Sequence, residues 1–146
     1  MYNYLDLIIN DFAELVKGKC ATPAAEHLFE VREANETKLL LEEQAIAFHH
    51  SVAQLLFLST RARRDIQVAV SFLTTRVKKP DKDGWGKLKR VMKYLNGTKR
   101  LKLTLSIESM LVIKWYINGS HNAYWECKGH GVAMMSLDNG AVLSYS

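Results

Sequence analysis

The apolar residues of this chain change their spacing once, and that change decides the class of fold. Up to Gly97 they recur at intervals of three and four, the period of a helix with one buried face; beyond Thr98 they alternate, the period of a half-buried strand. Helices gathered first and strands gathered last predict an α+β chain: a small helical module over about 1–98, then an incomplete antiparallel sheet over about 99–146.

In the helical part, Asn3 is placed to cap a helix over 4–17 that carries Tyr4, Leu5, Ile8, Phe12, Leu15 and Val16 on one side and stops at Gly18. From Lys19 to Leu41 the period fades. Ala21-Thr22-Pro23 and the polar run 33–38 read as a long connection lying across a surface. A second helix is expected over 42–60, burying Ala45, Phe48, Val52, Leu55, Leu56 and Leu58, with Glu42 and Glu43 at its N-terminal dipole. Asp65 is placed to cap a third, with Ile66, Ala69, Val70, Leu73 and Val77 sharing a side and Pro80 beyond its end. The fourth runs from Lys82 to Gly97, with Trp85, Leu88, Val91, Met92 and Leu95 as its stripe and Gly97 as its C-cap.

Strands are expected where Leu101, Leu103 and Leu105 alternate, from Leu111 to Ile117, from Gly131 to Leu137 and from Ala141 to Ser146. Asp138-Asn139-Gly140 joins the last two as a hairpin. With the sequence stopping at a strand, one edge and one face of the sheet are expected to be uncovered, which favours self-association.

Net charge is +5, and it is unevenly placed. Residues 1–60 hold 4 Lys and Arg against 9 Asp and Glu, residues 61–102 hold 14 against 3, and residues 103–146 hold 2 against 3. A basic block between acidic flanks points to a polyanion partner. At 48% hydrophobic residues the chain can bury a core, yet no run approaches the roughly 18 apolar residues of a membrane span, and the start lacks the basic segment of a signal peptide. A cytoplasmic or nuclear location is the expectation. Cys20 and Cys127 are too few and too far apart for a disulfide framework and read as free thiols.

The candidate nucleic-acid-binding residues are Arg61, Arg63, Arg64, Lys78, Lys79, Lys89, Arg90, Lys93, Lys99 and Arg100, within a block that also holds Arg76, Lys87 and Lys102. Such a surface contacts phosphates without reading bases, so it does not separate DNA, RNA and hybrid; the alternative is a solvated helix face. Cys127, His130 and His121 lack a convincing fourth zinc ligand, and His49-His50 has no partner motif, so no metal site is expected. Trp115, Tyr116, Tyr124 and Trp125 suit either a sheet core or base stacking. Neither a Gly-rich phosphate loop nor a nucleophile elbow is present.

Several stretches are similar to the region that follows the palm in copia-type retrotransposon reverse transcriptases. His50-Ser51-Val52-Ala53-Gln54-Leu55-Leu56-Phe57-Leu58 resembles a helix of that family, and Trp85, Lys89-Arg90-Val91, Tyr94-Leu95 and Gly97-Thr98 resemble a further signature. Arg63-Arg64-Asp65-Ile66 resembles a segment in which Arg64 replaces a helix-start proline. Residues 113–120 look like the first strand of an RNase H domain, with Asn118 where that domain has its first catalytic Asp, and 129–142 look like its next two strands. The resemblance covers roughly 48–146 well; 1–47 is looser, through Ala21-Thr22-Pro23 and His27-Leu28-Phe29-Glu30.

The resemblance implies the C-terminal thumb or connection region of a reverse transcriptase and the start of an RNase H domain, a fragment of a Pol polyprotein. The parent family couples RNA-directed DNA polymerase to ribonuclease H, with Mg in the intact enzyme. This chain holds no Tyr-x-Asp-Asp, Asn118 brings no charge to a two-metal site, and the helix with the second RNase H carboxylate is expected after Ser146. No catalytic residue and no cofactor are therefore assigned to it. The expected partners are nucleic acid, as RNA–DNA hybrid or DNA, and the remainder of a polyprotein, with no membrane. Three functions stand side by side: a nucleic-acid-binding module, an inert remnant, and a ribonuclease active only within a longer polyprotein.

Overall fold

A computed structural model describes residues 2–32, 37–107, 112–122 and 128–146. Within them the order is α1 (Tyr2–Asp11), α2 (Glu42–Arg61), a 3-10 turn (Arg64–Ile66), α3 (Gln67–Thr75), α4 (Lys82–Gly97), β1 (Lys114–Ser120), β2 (His130–Ser136) and β3 (Leu143–Tyr145). Helices precede strands, and the fold is α+β. No helix among the described residues is long and apolar enough to cross a membrane.

The helices enclose one core. Ile8 of α1, Phe48, Leu55 and Leu58 of α2, Val70, Phe72 and Leu73 of α3, and Leu88, Met92 and Leu95 of α4 are nearly or wholly inaccessible. α2 begins with Glu42 and Glu43 and ends with Arg61, charges that oppose its dipole at both ends. Asp81 caps α4 by accepting the Gly84 amide hydrogen at 2.7 Å. A Cβ at Gly84 would lie 3.2 Å from that carboxylate and 3.7 Å from the Phe48 ring, so the glycine lets the start of α4 close onto α2.

The connection between α1 and α2 lies across this body as expected. Leu28 is buried, Phe29 meets Phe72 edge to face at 5.9 Å, and Leu39 forms a bridge with Asp81. Hydrogen bonds from the Leu40 amide to the Pro80 carbonyl and from the Lys82 amide to the Lys38 carbonyl, both 3.0 Å, fasten it to the α3–α4 joint.

Several expectations are corrected. α1 stops at Asp11 rather than 17, and Asn3 lies inside it. Phe12 leaves the helix to stack on Trp85 at 5.3 Å, Glu14 is drawn to α4, and Leu15 is left 80% exposed. Leu56 faces solvent. Asp65 sits within the 3-10 turn and caps nothing, and Gly97 is the last residue of α4, with Thr98 at the C-cap position.

β1, β2 and β3 form an open antiparallel meander in that order, with Ile117 opposite Ala133 and Met135 opposite Leu143. The expected hairpin is present, turning through 137–142. Gly140 adopts φ +77°, and a Cβ there would fall 2.1 Å from the Thr104 carbonyl oxygen, so only glycine admits residues 104–106 against the turn. The Leu101–Leu105 alternation does not make a strand: the segment is irregular and its leucines are exposed, held near Ser106 by bonds to Asn139 and Asp138. β1 is an edge strand exposed along its whole length. Leu111, Tyr124, Trp125 and Cys127 lie outside the described residues.

Candidate nucleic-acid interface

α4 is amphipathic because its sequence repeats basic residues out of phase with its apolar stripe. Lys82, Lys89 and Lys93 fall on one side of the helix with Arg90 beside them, opposite Leu88, Val91, Met92 and Leu95. The four cations line a single groove with Glu14, Cys20, Gln44 and Trp85. From Lys82 to Lys93 the row rises about 16 Å along the helix, a reach that suits a few phosphates of one strand. Among the described residues Lys82 and Lys93 make no ion pair, nor do Lys78 and Lys79 in the exposed joint before α4, nor Arg100 and Lys102 beyond it.

Other cations on or beside this helix are held within the chain. Lys89 Nζ donates to Glu14 at 2.6 Å, and Trp85 Nε1 donates to the other oxygen of the same carboxylate at 2.6 Å. The Lys89 bond, followed by that from Trp85, holds the Glu14 carboxyl below its ordinary range, against a small opposing effect of burial. Lys99 meets Asp6 at 2.7 Å, Lys87 meets Asp83 at 2.8 Å, and Arg90 donates to Thr22 Oγ1 at 2.9 Å. The acidic N-terminal third thus supplies carboxylates that neutralise part of the basic surface.

The ten residues singled out from the sequence do not form one patch. Lys89, Arg90 and Lys93 are brought together; Arg61 and Lys99 line a different groove with Lys102, Leu5 and Leu58. Two are structural. Arg63 is 4% exposed, packs on the Tyr94 ring at 5.5 Å, and donates to Asp65 at 2.7 Å and to the Thr98 carbonyl at 3.0 Å. Burial works against its charge, but Asp65 together with Tyr94 outweighs burial and raises its pKa. Arg64 donates to Ser144 Oγ at 2.6 Å and to the Val142 carbonyl at 2.8 Å, and Gln67 donates to the Ser144 carbonyl, so the two residues tie β3 to the helical body. Burial lowers the Arg64 pKa. Both guanidinium groups are thus engaged within the chain.

Lys82, Arg32 and Lys38 were missed. Lys82 completes the period of Lys89 and Lys93 on α4, a signal present in the sequence. Arg32 and Lys38 reach α4 only because the connection folds over it, which spacing does not show.

Asn118 lies inside β1 opposite Val132, exposed, and its Oδ1 accepts the Gly119 amide hydrogen at 2.9 Å. Among the described residues no group of three or more His, Cys, Asp and Glu side chains is arranged to hold a metal. His130 instead meets the Phe29 ring at 5.3 Å and Ser146 Oγ at 2.9 Å. Comparison with protein-family models, with curated proteins and with solved structures finds no match for this chain.

Proposed function

We propose that the chain binds nucleic acid through its phosphate backbone, without sequence preference and without chemistry of its own, using the α4 side built from Lys82, Lys89, Arg90 and Lys93. The observation that carries this is their alignment along a rigid helix whose opposite face is locked in the core. A lysine row on a helix neutralises phosphates as point charges and leaves base edges unread, which supports affinity without specificity. This fits the expected descent from a thumb or connection region of a copia-type polymerase, where the partner is an RNA–DNA hybrid or DNA. A ribonuclease role has no carboxylate at position 118 to support it. The test is fluorescence anisotropy with a labelled RNA–DNA hybrid and the Lys89→Glu/Arg90→Glu/Lys93→Glu variant. The intact chain should bind and the folded variant should lose at least about tenfold in affinity; equal affinity would reject the α4 interface.

A further inference from the structure

A second cleft adjoins the α4 row and draws on cations that the row lacks, Arg32, Lys38 and Lys87. It has a volume of about 570 Å³ and lies between the connection and the first turns of α4, sharing Lys82, Gly86 and Arg90 with the groove described above. Among the described residues five cations line it, Arg32, Lys38, Lys82, Lys87 and Arg90, and one carboxylate, Asp83. That carboxylate is already engaged by Lys87 at 2.8 Å and Arg32 at 3.5 Å. Arg90 is held with its Nε buried and unpartnered, a polar group taken from water without compensation. Gly86 lies on the wall with no atom within 4 Å of where its Cβ would be, so the helix backbone is approachable there.

A ligand carrying one negative charge would leave most of this charge unanswered. Among the described residues the cations exceed the carboxylates by four, which calls for a compact group with several charges, and the two guanidinium forks suit phosphate oxygens. The volume falls within the range of small-ligand sites. We propose that this cleft binds a clustered phosphate group, as offered by a nucleoside polyphosphate or by the phosphorylated end of a strand. The site overlaps the backbone grip at Lys82 and Arg90, but Arg32 and Lys38 belong to the cleft alone and Lys89 and Lys93 to the α4 groove alone.

The experiment titrates the full chain with inorganic tripolyphosphate by calorimetry, beside an Arg32→Glu/Lys38→Glu variant and a Lys78→Glu/Lys79→Glu/Lys93→Glu variant. Both sets of side chains are outside the core, and circular dichroism verifies folding. Saturable one-to-one binding, weakened at least about tenfold in the first variant and within about twofold in the second, is the expected result. Non-saturable binding, or equal weakening in both variants, overturns the proposal. Hybrid binding by the first variant reports the backbone grip independently, so failure of one reading is distinguishable from failure of the other. Competition by a 5′-phosphorylated oligonucleotide but not by its unphosphorylated twin assigns the site to strand ends; competition by a nucleoside triphosphate alone assigns it to free nucleotides.

Discussion

Arg63 shows how misleading a residue's charge is without its surroundings. A basic residue in a basic block reads as a ligand contact, yet this one binds Asp65, Tyr94 and the end of α4 from the interior. Replacing it by Ala leaves the Asp65 carboxylate and the Thr98 carbonyl short of donors and should cost about 2–4 kcal/mol, read from urea unfolding. Asp65 itself is pulled two ways: burial pushes its pKa up, and hydrogen bonds from Arg63 and Tyr94 more than offset this, holding it below the ordinary value of 3.8. A folded-state pKa below the unfolded one means the carboxylate stabilises fully above that value and loses its contribution as pH falls through the folded one. Asp65→Asn should therefore flatten the loss of stability below about pH 4, as measured by unfolding midpoints across an acid series. An unchanged acid limb would remove Asp65 from the account. Tyr94, raised by burial and by its bond to Asp65, stays a neutral donor throughout this window.

At the scale of elements, α4 combines the strongest cap with the least explained residue. Asp81 is buried, caps Gly84 and takes a bond from Arg76 at 3.4 Å, so Asp81→Ala should lower stability by about 1–2 kcal/mol in thermal or urea unfolding. Gly86 has open space at its Cβ, and Gly86→Ala should raise stability by about 0.5–1 kcal/mol by the same measurement. The helices were readable in the sequence because their stripes are long and bounded by Pro80 and Gly97. α1 was misjudged at its end because Phe12 and Glu14 are claimed by Trp85 and Lys89, partners about seventy residues away. The Leu101–Leu105 alternation matches the strand period but finds no strand to pair with among the described residues, and period without pairing does not make a strand. For the candidate site, the row on α4 follows from helical spacing, whereas the separation of Arg63 and Arg64 from it, and the arrival of Arg32 and Lys38, depend on tertiary placement.

The molecule as a whole is electrically divided, and its acidic N-terminal third is folded against its basic middle. Glu14 on Lys89 and Asp6 on Lys99 place carboxylates in direct competition with any phosphate. Glu14→Gln keeps an acceptor for Trp85 while releasing Lys89, and should tighten hybrid binding about two- to threefold and steepen its salt dependence by nearly one ion. The sheet makes a different contribution: β1 is exposed along its length, so its outward amides should exchange with solvent far faster than those of α2 and α4.

The central claim is that a row of helical cations holds a phosphate backbone without reading it. Affinity of the intact chain for two hybrids of unrelated sequence, followed from low to physiological salt, tests this most directly. The two should give the same line of log affinity against log salt, with a slope between about −2 and −4 for the few phosphates that α4 neutralises. A folded chain that fails to bind, a slope near zero, or clear preference for one sequence would contradict it.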